Sequence, residues 1–252
     1  MGACIGFTKE ILSRFCIDSD DDTLFWAMRV VAGVDGFPGG WVAVVLRDGG
    51  FACAVTAPAF AELLDELGPV DAVGVDIPIG LPAAAPRSAD LLARRLLGPR
   101  ASSVFMTPPR AAIEALTYGD ALVACRDVGA AGLSRQAYAL AQKILDVERA
   151  LIGSEADVRE VHPECSFARM AGDHPASPKR TWDGMQERVA RLAARSIRVP
   201  WPLRLPSQVA ADDVLDAAAA AWTASRIAAG TAVSMPHPPE AMPDGRMAAI
   251  WR

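Results

Sequence analysis

With 252 residues, 52% of them apolar, the chain is long enough for one substantial core, and its apolar stretches are broken by charge at strand or helix spacing. No run approaches the roughly 18 apolar residues of a membrane span, and a net charge of −5 argues against a protein that coats nucleic acid nonspecifically. Five cysteines, at 4, 16, 53, 125 and 165, include no Cys-x-x-Cys pair, which points to reduced thiols in a cytoplasmic setting and away from a disulfide framework or a zinc site.

Residues 1–27 read as a loosely held N-terminal extension. They carry the acidic cluster Asp18 and Asp20 to Asp22 and lack the basic start and continuous apolar core of a signal peptide. Residues 28–252 read as a single domain. Its opening pattern predicts three strands near 30–35, 41–47 and 51–56, with a Gly-rich turn at Gly36-Phe37-Pro38-Gly39 and a second at Asp48-Gly49-Gly50. A short helix over about 59–67 and a fourth strand over 72–76 follow, so the expected class is α/β with a mixed sheet.

Both Asp35 and Asp76 close apolar, β-branched runs, Gly33-Val34-Asp35 and Val73-Gly74-Val75-Asp76, and Pro78 stops the second ladder. A carboxylate at the end of a buried strand must be hydrogen-bonded, paired or bound to a cation, whereas a surface turn aspartate needs none of these. If the first and fourth strands are adjacent and parallel, the two acids stand side by side.

From about 81 to 155 the pattern predicts a helical insertion. A helix over 87–97 leads into the loop Gly98 to Arg110, and a helix starts at Ser134, a plausible N-cap, and runs to Leu151. Between Arg87 and Arg198, 17 Lys and Arg face 13 Asp and Glu, so this segment is +4 and the remainder −9. A locally basic cover can hold a phosphate chain, although solvated helix faces give the same count.

Val158 to His162 is a short strand candidate, with Glu164 just past its end as a third acid or as a cap of a nearby helix. His162 reads as a buried, partnered histidine rather than a donor to a site. A basic helical stretch over 179–194 and a proline-rich segment precede the clearest helix, from Ala210 to near Gly230. On it Asp213 and Asp216 are three apart and share a face. Asp212 reads as a capping residue; Asp216 lies deeper, flanked by Leu215 and alanines that suit close packing on a sheet.

The set of motifs resembles family 429 of the domains of unknown function (DUF429), bacterial proteins predicted to be ribonuclease-H-like nucleases. The matching pieces, in chain order, are Gly33-Val34-Asp35-Gly36 with Gly39-Gly40-Trp41; Asp76-Ile77-Pro78-Ile79-Gly80-Leu81-Pro82; Arg100 with Ser102-Ser103-Val104-Phe105 and Pro108-Pro109-Arg110; Gln136 with Lys143-Ile144; His162-Pro163-Glu164 with Phe167; and Asp212 to Ala217 with Ala221-Trp222-Thr223-Ala224. Met106 departs from the pattern, standing where relatives often have proline. The resemblance implies a ribonuclease-H-like mixed five-stranded sheet flanked by helices, its first three strands antiparallel, with acids on the first strand, the fourth strand and the last helix.

It further implies a metal-dependent nuclease. Carboxylates forced together repel unless cations neutralise them, and oxygen-only ligands suit Mg²⁺ or Mn²⁺. Two such ions, roughly 4 Å apart, can activate water and stabilise the leaving oxygen of a phosphodiester. The expected metal ligands are Asp35, as the bridge, Asp76, Asp213 and Asp216, with Glu164 a further catalytic acid. Arg100, Ser102, Ser103, Arg110, Arg135 and Lys143 are candidate contacts to a nucleic acid or other phosphoester substrate. Two alternatives share the fold: an actin-like phosphotransferase or ATPase, which needs a second glycine-rich phosphate loop after a late strand, and a noncatalytic nucleic-acid-binding module.

Overall fold

In the computed structural model, which describes residues 29–84, 86–130, 132–200 and 202–252, the apolar run from Val30 becomes β1 (Val30–Phe37). It continues into β2 (Gly40–Arg47) and β3 (Gly50–Ala57) as an antiparallel meander. The expected N-terminal extension lies outside the described residues. Helix α1 (Phe60–Leu67) carries the chain across to β4 (Ala72–Val75), which pairs parallel to β1 with Gly33 opposite Gly74 and Val34 opposite Val75. Strand β5 (Val158–Glu160) adds parallel to β4. The order β3-β2-β1-β4-β5, with β1 at the centre, is the mixed five-stranded sheet that the ribonuclease-H-like expectation describes.

Between β4 and β5 lies the helical insertion: α2 (Ser88–Leu97), a 3₁₀ segment (Gly98–Ser103), α3 (Arg110–Ile113), α4 (Tyr118–Asp127), α5 (Arg135–Ala139) and α6 (Ala141–Ala150). Ser134 is a true cap, its Oγ accepting from Ala137 N at 3.0 Å. The single helix expected from it is interrupted at Leu140. Helices α3 and α4 were not anticipated. The former is too short to show a period; the latter starts at the Thr117 cap and buries little more than Ala121 and Cys125.

After β5 come α7 (Pro163–Ala171), α8 (Trp182–Ala193), α9 (Ala211–Ala228) and a separate antiparallel pair, β6 (Ser234–Ala241) and β7 (Met247–Trp251). Among the described residues no helix is long and apolar enough to cross a membrane.

Strand alternation divides the core into two layers. Val31, Val42, Val44 and Leu46 pack on one face with Phe167, Leu215 and the alanines of α9. Ala32, Val34, Trp41 and Val73 pack on the other with Phe60, Leu63, Ile144 and Val147. Each large side chain buried in this way contributes about 1.5–3 kcal/mol.

The alanine run of α9 sets how closely this helix approaches the sheet. A Cβ at Gly33 would stand 1.9 Å from Ala221 N and 2.1 Å from Ala217 O, and one at Gly74 would stand 2.7 Å from Ala220 O. Helix backbone therefore touches strand backbone, and β1 and β4 carry glycine at the crossing. By the same alternation Asp35 and Asp76 point to the α9 side, two residues beyond Gly33 and Gly74.

The other sheet edge is held by a buried ion network. Arg87, 1% exposed, pairs with Glu160 at 2.7 Å and with Asp90 at 2.6 Å. Glu160 Oε2 also accepts from Ile79 N at 2.7 Å, and Asp90 Oδ2 accepts from Thr107 N at 2.8 Å. The network ties β5 to the two segments entering and leaving α2.

Candidate metal centre

Asp35 ends the continuous buried run of β1, and Asp76 is the residue after β4. The register of the two parallel strands brings them together, extended by a bond from Asp76 N to Val34 O at 2.9 Å. Asp216 enters from above on α9, one residue before the Ala217 carbonyl that touches Gly33. One carboxylate oxygen from each of Asp35, Asp76 and Asp216 lies within 4.8 Å of the other two.

Burial and mutual repulsion both act against charge here. Asp35 is held well above the usual carboxylate range by burial first and then by Asp76 and Asp216. Burial raises Asp76 too, against the pull of His162 and Lys179 and with added repulsion from Glu164. Asp216 is pushed up to about 7, again by burial, although Lys179 opposes the shift. Its Oδ1 is buried without a hydrogen-bond partner, as is Oε2 of Glu164. Unpaired buried carboxylate oxygens are costly, and a bound cation removes that cost.

Glu164 sits in the first turn of α7, rather than in a loop, and its Oε1 accepts from the fully buried Arg188 of α8. Burial works against charge on His162, but Cys165 and Asp76 outweigh it and raise the ring to about 10. Its Nε2 stands 3.3 Å from Ser103 O, and its Nδ1 is buried without a partner.

The capping role expected of Asp212 falls to Asp213. Asp213 Oδ2 accepts from Ala210 N at 2.9 Å, closing the first turn of α9 as a cap. Asp212, expected to cap, instead pairs with Arg180 at 3.4 Å and Lys179 at 3.7 Å. Asp213 stands outside the three-carboxylate group, one turn nearer the helix start than Asp216, yet close enough to add to the repulsion on Asp35. The helix period permits either face at the N-terminus; the cap decides which carboxylate turns away.

The candidate phosphate contacts separate by what already holds them. Lys143, on α6, places its ammonium 4.2 Å from the Trp41 ring centre, donates to Gly40 O and lies near enough to Asp35 to feel its charge. Ser103 Oγ donates to Arg100 O at 2.8 Å, and Arg100 Nε to Pro175 O at 3.0 Å, which leaves Arg100 Nη2 buried without a partner. Ser102 is exposed on the same 3₁₀ segment. Arg110 is committed to Glu114, Glu148 and Asp244 at 3.1, 2.8 and 2.6 Å. Arg135 stacks on Tyr118, 4.6 Å from the ring centre.

Two residues of the centre are not distinguishable by pattern. Lys179 places Nζ 2.5 Å from Asp216 Oδ2, and Arg188 anchors Glu164. Both fall in a basic stretch that reads as a solvated helix, whereas α8 starts only at Trp182, after the Thr181 cap. The available signal is indirect: three aspartates within one turn of α9 call for nearby cations. The late glycines, for their part, do not form a phosphate loop. Gly172 is the left-handed cap of α7, and Gly184 lies inside α8 against Pro178 O.

A protein family described only as of unknown function, DUF429, matches residues 33–241, a span that contains every residue of the centre. No curated protein and no solved structure matches the chain.

Proposed function

The chain belongs to the DUF429 family, and from that premise we propose that it is a metal-dependent phosphodiester hydrolase, a nuclease whose centre is Asp35, Asp76 and Asp216. The observation that carries this reading is the convergence of three carboxylates within 4.8 Å, Asp35 and Asp216 buried and Asp76 partly so, with an unpaired oxygen on Asp216 and another on neighbouring Glu164. Lys179 offsets part of the mutual repulsion, yet all three carboxylates stay above their ordinary range, so a cation is still favoured there.

The donor set fits a hard divalent cation such as Mg²⁺ or Mn²⁺, because Asp35, Asp76 and Asp216 offer oxygen alone. When bound, such an ion supplies Lewis acidity, making water nucleophilic at neutral pH and offsetting charge on phosphoryl oxygens. Asp35, Asp76 and Asp216 would hold it, with Asp213 and Glu164 at the margin. Lys143, its ammonium over the Trp41 ring and near enough to Asp35 to feel its charge, is the candidate contact for a phosphate oxygen. His162 favours charge on Asp76 and so opposes part of the effect of burial there. Ser103, whose carbonyl meets His162, and Arg100 and Ser102 on the same 3₁₀ segment are the further candidate phosphate contacts. Arg110 and Arg135 are left as supports of the insertion by their existing partners.

The test is cleavage of a panel of labelled RNA, DNA, RNA–DNA hybrid and four-way junctions in Mg²⁺ and Mn²⁺, comparing wild type with Asp76→Asn. Metal-dependent cutting by wild type and its loss by at least about 100-fold in the variant are expected. Equal cutting by both proteins, or none by either, refutes the assignment.

A further inference from the structure

We propose that Lys179 is a resident cation of the carboxylate centre, its ammonium standing where a second divalent ion would otherwise be needed, so that the centre takes a single Mg²⁺ or Mn²⁺. The inference rests on the metal-hydrolase reading above and deepens it.

Lys179 is placed by construction rather than by chance of a flexible surface side chain. It lies in the turn Pro178–Thr181, where Pro178 O accepts from both Thr181 N at 3.0 Å and Thr181 Oγ1 at 2.8 Å. Gly184 lets this turn settle on the start of α8, since a Cβ there would stand 1.9 Å from Pro178 O. Arg188, buried under the turn, donates from Nη1 to Ser177 O at 3.2 Å and to Gly184 O at 2.9 Å, while its Nη2 holds Glu164. The acid that faces Asp76 and Asp216 is therefore tied, through one guanidinium, to the turn that delivers the lysine.

The ammonium engages one side of the cluster and leaves the other open. Nζ stands 2.5 Å from Asp216 Oδ2 and 3.7 Å from Asp212 Oδ2, while Asp216 Oδ1 is buried and unpaired. Charge gives the same count. Arg188 matches Glu164 and Arg180 matches Asp212; the carboxylates that remain, Asp35, Asp76, Asp213 and Asp216, are already faced by Lys179, Lys143 and His162, so one divalent ion is enough to neutralise them. A second divalent ion in the same buried space would leave an excess of positive charge and would have to displace an ammonium held at 2.5 Å.

Calorimetric titration with MnCl₂, checked by the electron paramagnetic resonance signal of free Mn²⁺, decides the matter. The side chain of Lys179 is 37% exposed, so Lys179→Met should fold, as circular dichroism can verify. Expected are about one ion per wild-type chain, about two in Lys179→Met and about one again in Lys179→Arg. Two ions in the wild type overturn the proposal whatever the variants do, and one ion in Lys179→Met overturns it as well. Absence of binding in wild type and variant alike sinks both this proposal and the metal-hydrolase reading. The expected stoichiometries without cleavage of any substrate in the panel support the resident cation and remove the nuclease assignment.

Discussion

Replacing Gly33 by alanine adds one methyl group at the point where β1 touches α9. That carbon would stand 1.9 Å from Ala221 N, where ordinary contact begins near 3.4 Å, so the helix must retreat by about 1.5 Å. Neither neighbour is a side chain that can rotate away. The cost therefore falls at the upper end of the range for overpacking, about 3 kcal/mol. For a protein of this size that corresponds to a fall in melting temperature of roughly 6–12 °C. Asp216 travels with the helix, so the variant should also lose the stabilisation that Mn²⁺ confers on the wild type, although every carboxylate is retained. Saturating metal at about 100 times its dissociation constant is worth about 2.7 kcal/mol to the wild type. Thermal melts monitored by circular dichroism, with chelator and with Mn²⁺, measure both effects. Gly50→Ala is the control, because the nearest atom to its added carbon is Arg47 O at 3.7 Å. A Gly33→Ala melt within about 1 °C of wild type, with an intact Mn²⁺ response, would refute the claim that glycine at this crossing sets the geometry of the centre.

Arg87→Met should cost about 3–5 kcal/mol, because it strands Glu160 and Asp90 as uncompensated buried charges. Arg110→Met, at a guanidinium 32% exposed, should cost no more than about 1 kcal/mol in a urea melt; equal losses for the two would contradict the burial argument. The pH dependence of the metal-free protein follows from Asp216, whose carboxyl takes up its proton at about 7 in the folded state and near about 4 in the unfolded chain. Between those values the folded state binds more protons, so its stabilising contribution is complete at the acidic end and is lost as pH rises through 7. Asp35 and Asp76 shift in the same direction, and His162, raised to about 10, adds to the decline above its ordinary range. Melting temperature in chelator should thus fall from pH 5 to 8, and Mn²⁺ should abolish most of the fall; a rise over that window without metal would show that the carboxylates are not repelling.

Much of the architecture is legible because its causes are local. The runs around Val30–Val34, Val42–Leu46 and Val73–Val75 are apolar throughout, largely β-branched and separated by turns that carry glycine or proline, so three antiparallel strands and a fourth follow from backbone sterics and burial alone. The alanine-rich final helix, and Asp35, Asp76 and Asp216 as candidate ligands, are legible for the same reason, each lying at a position where local pattern makes a carboxylate conspicuous. Tertiary structure decided what depends on neighbours distant in sequence. The parallel register of β1 and β4 sets Asp35 beside Asp76, and the close crossing at Gly33 lowers Asp216 onto them. Choosing Asp213 for the cap and Asp212 for the lysine and arginine is a matter of side-chain direction within one helical turn, to which a spacing rule is blind. Lys179 and Arg188 carry no local mark at all; their charge takes on its role when the turn before α8 folds against Glu164 and Asp216, because the energy of a buried ion pair resides in the partner and not in the sequence around it.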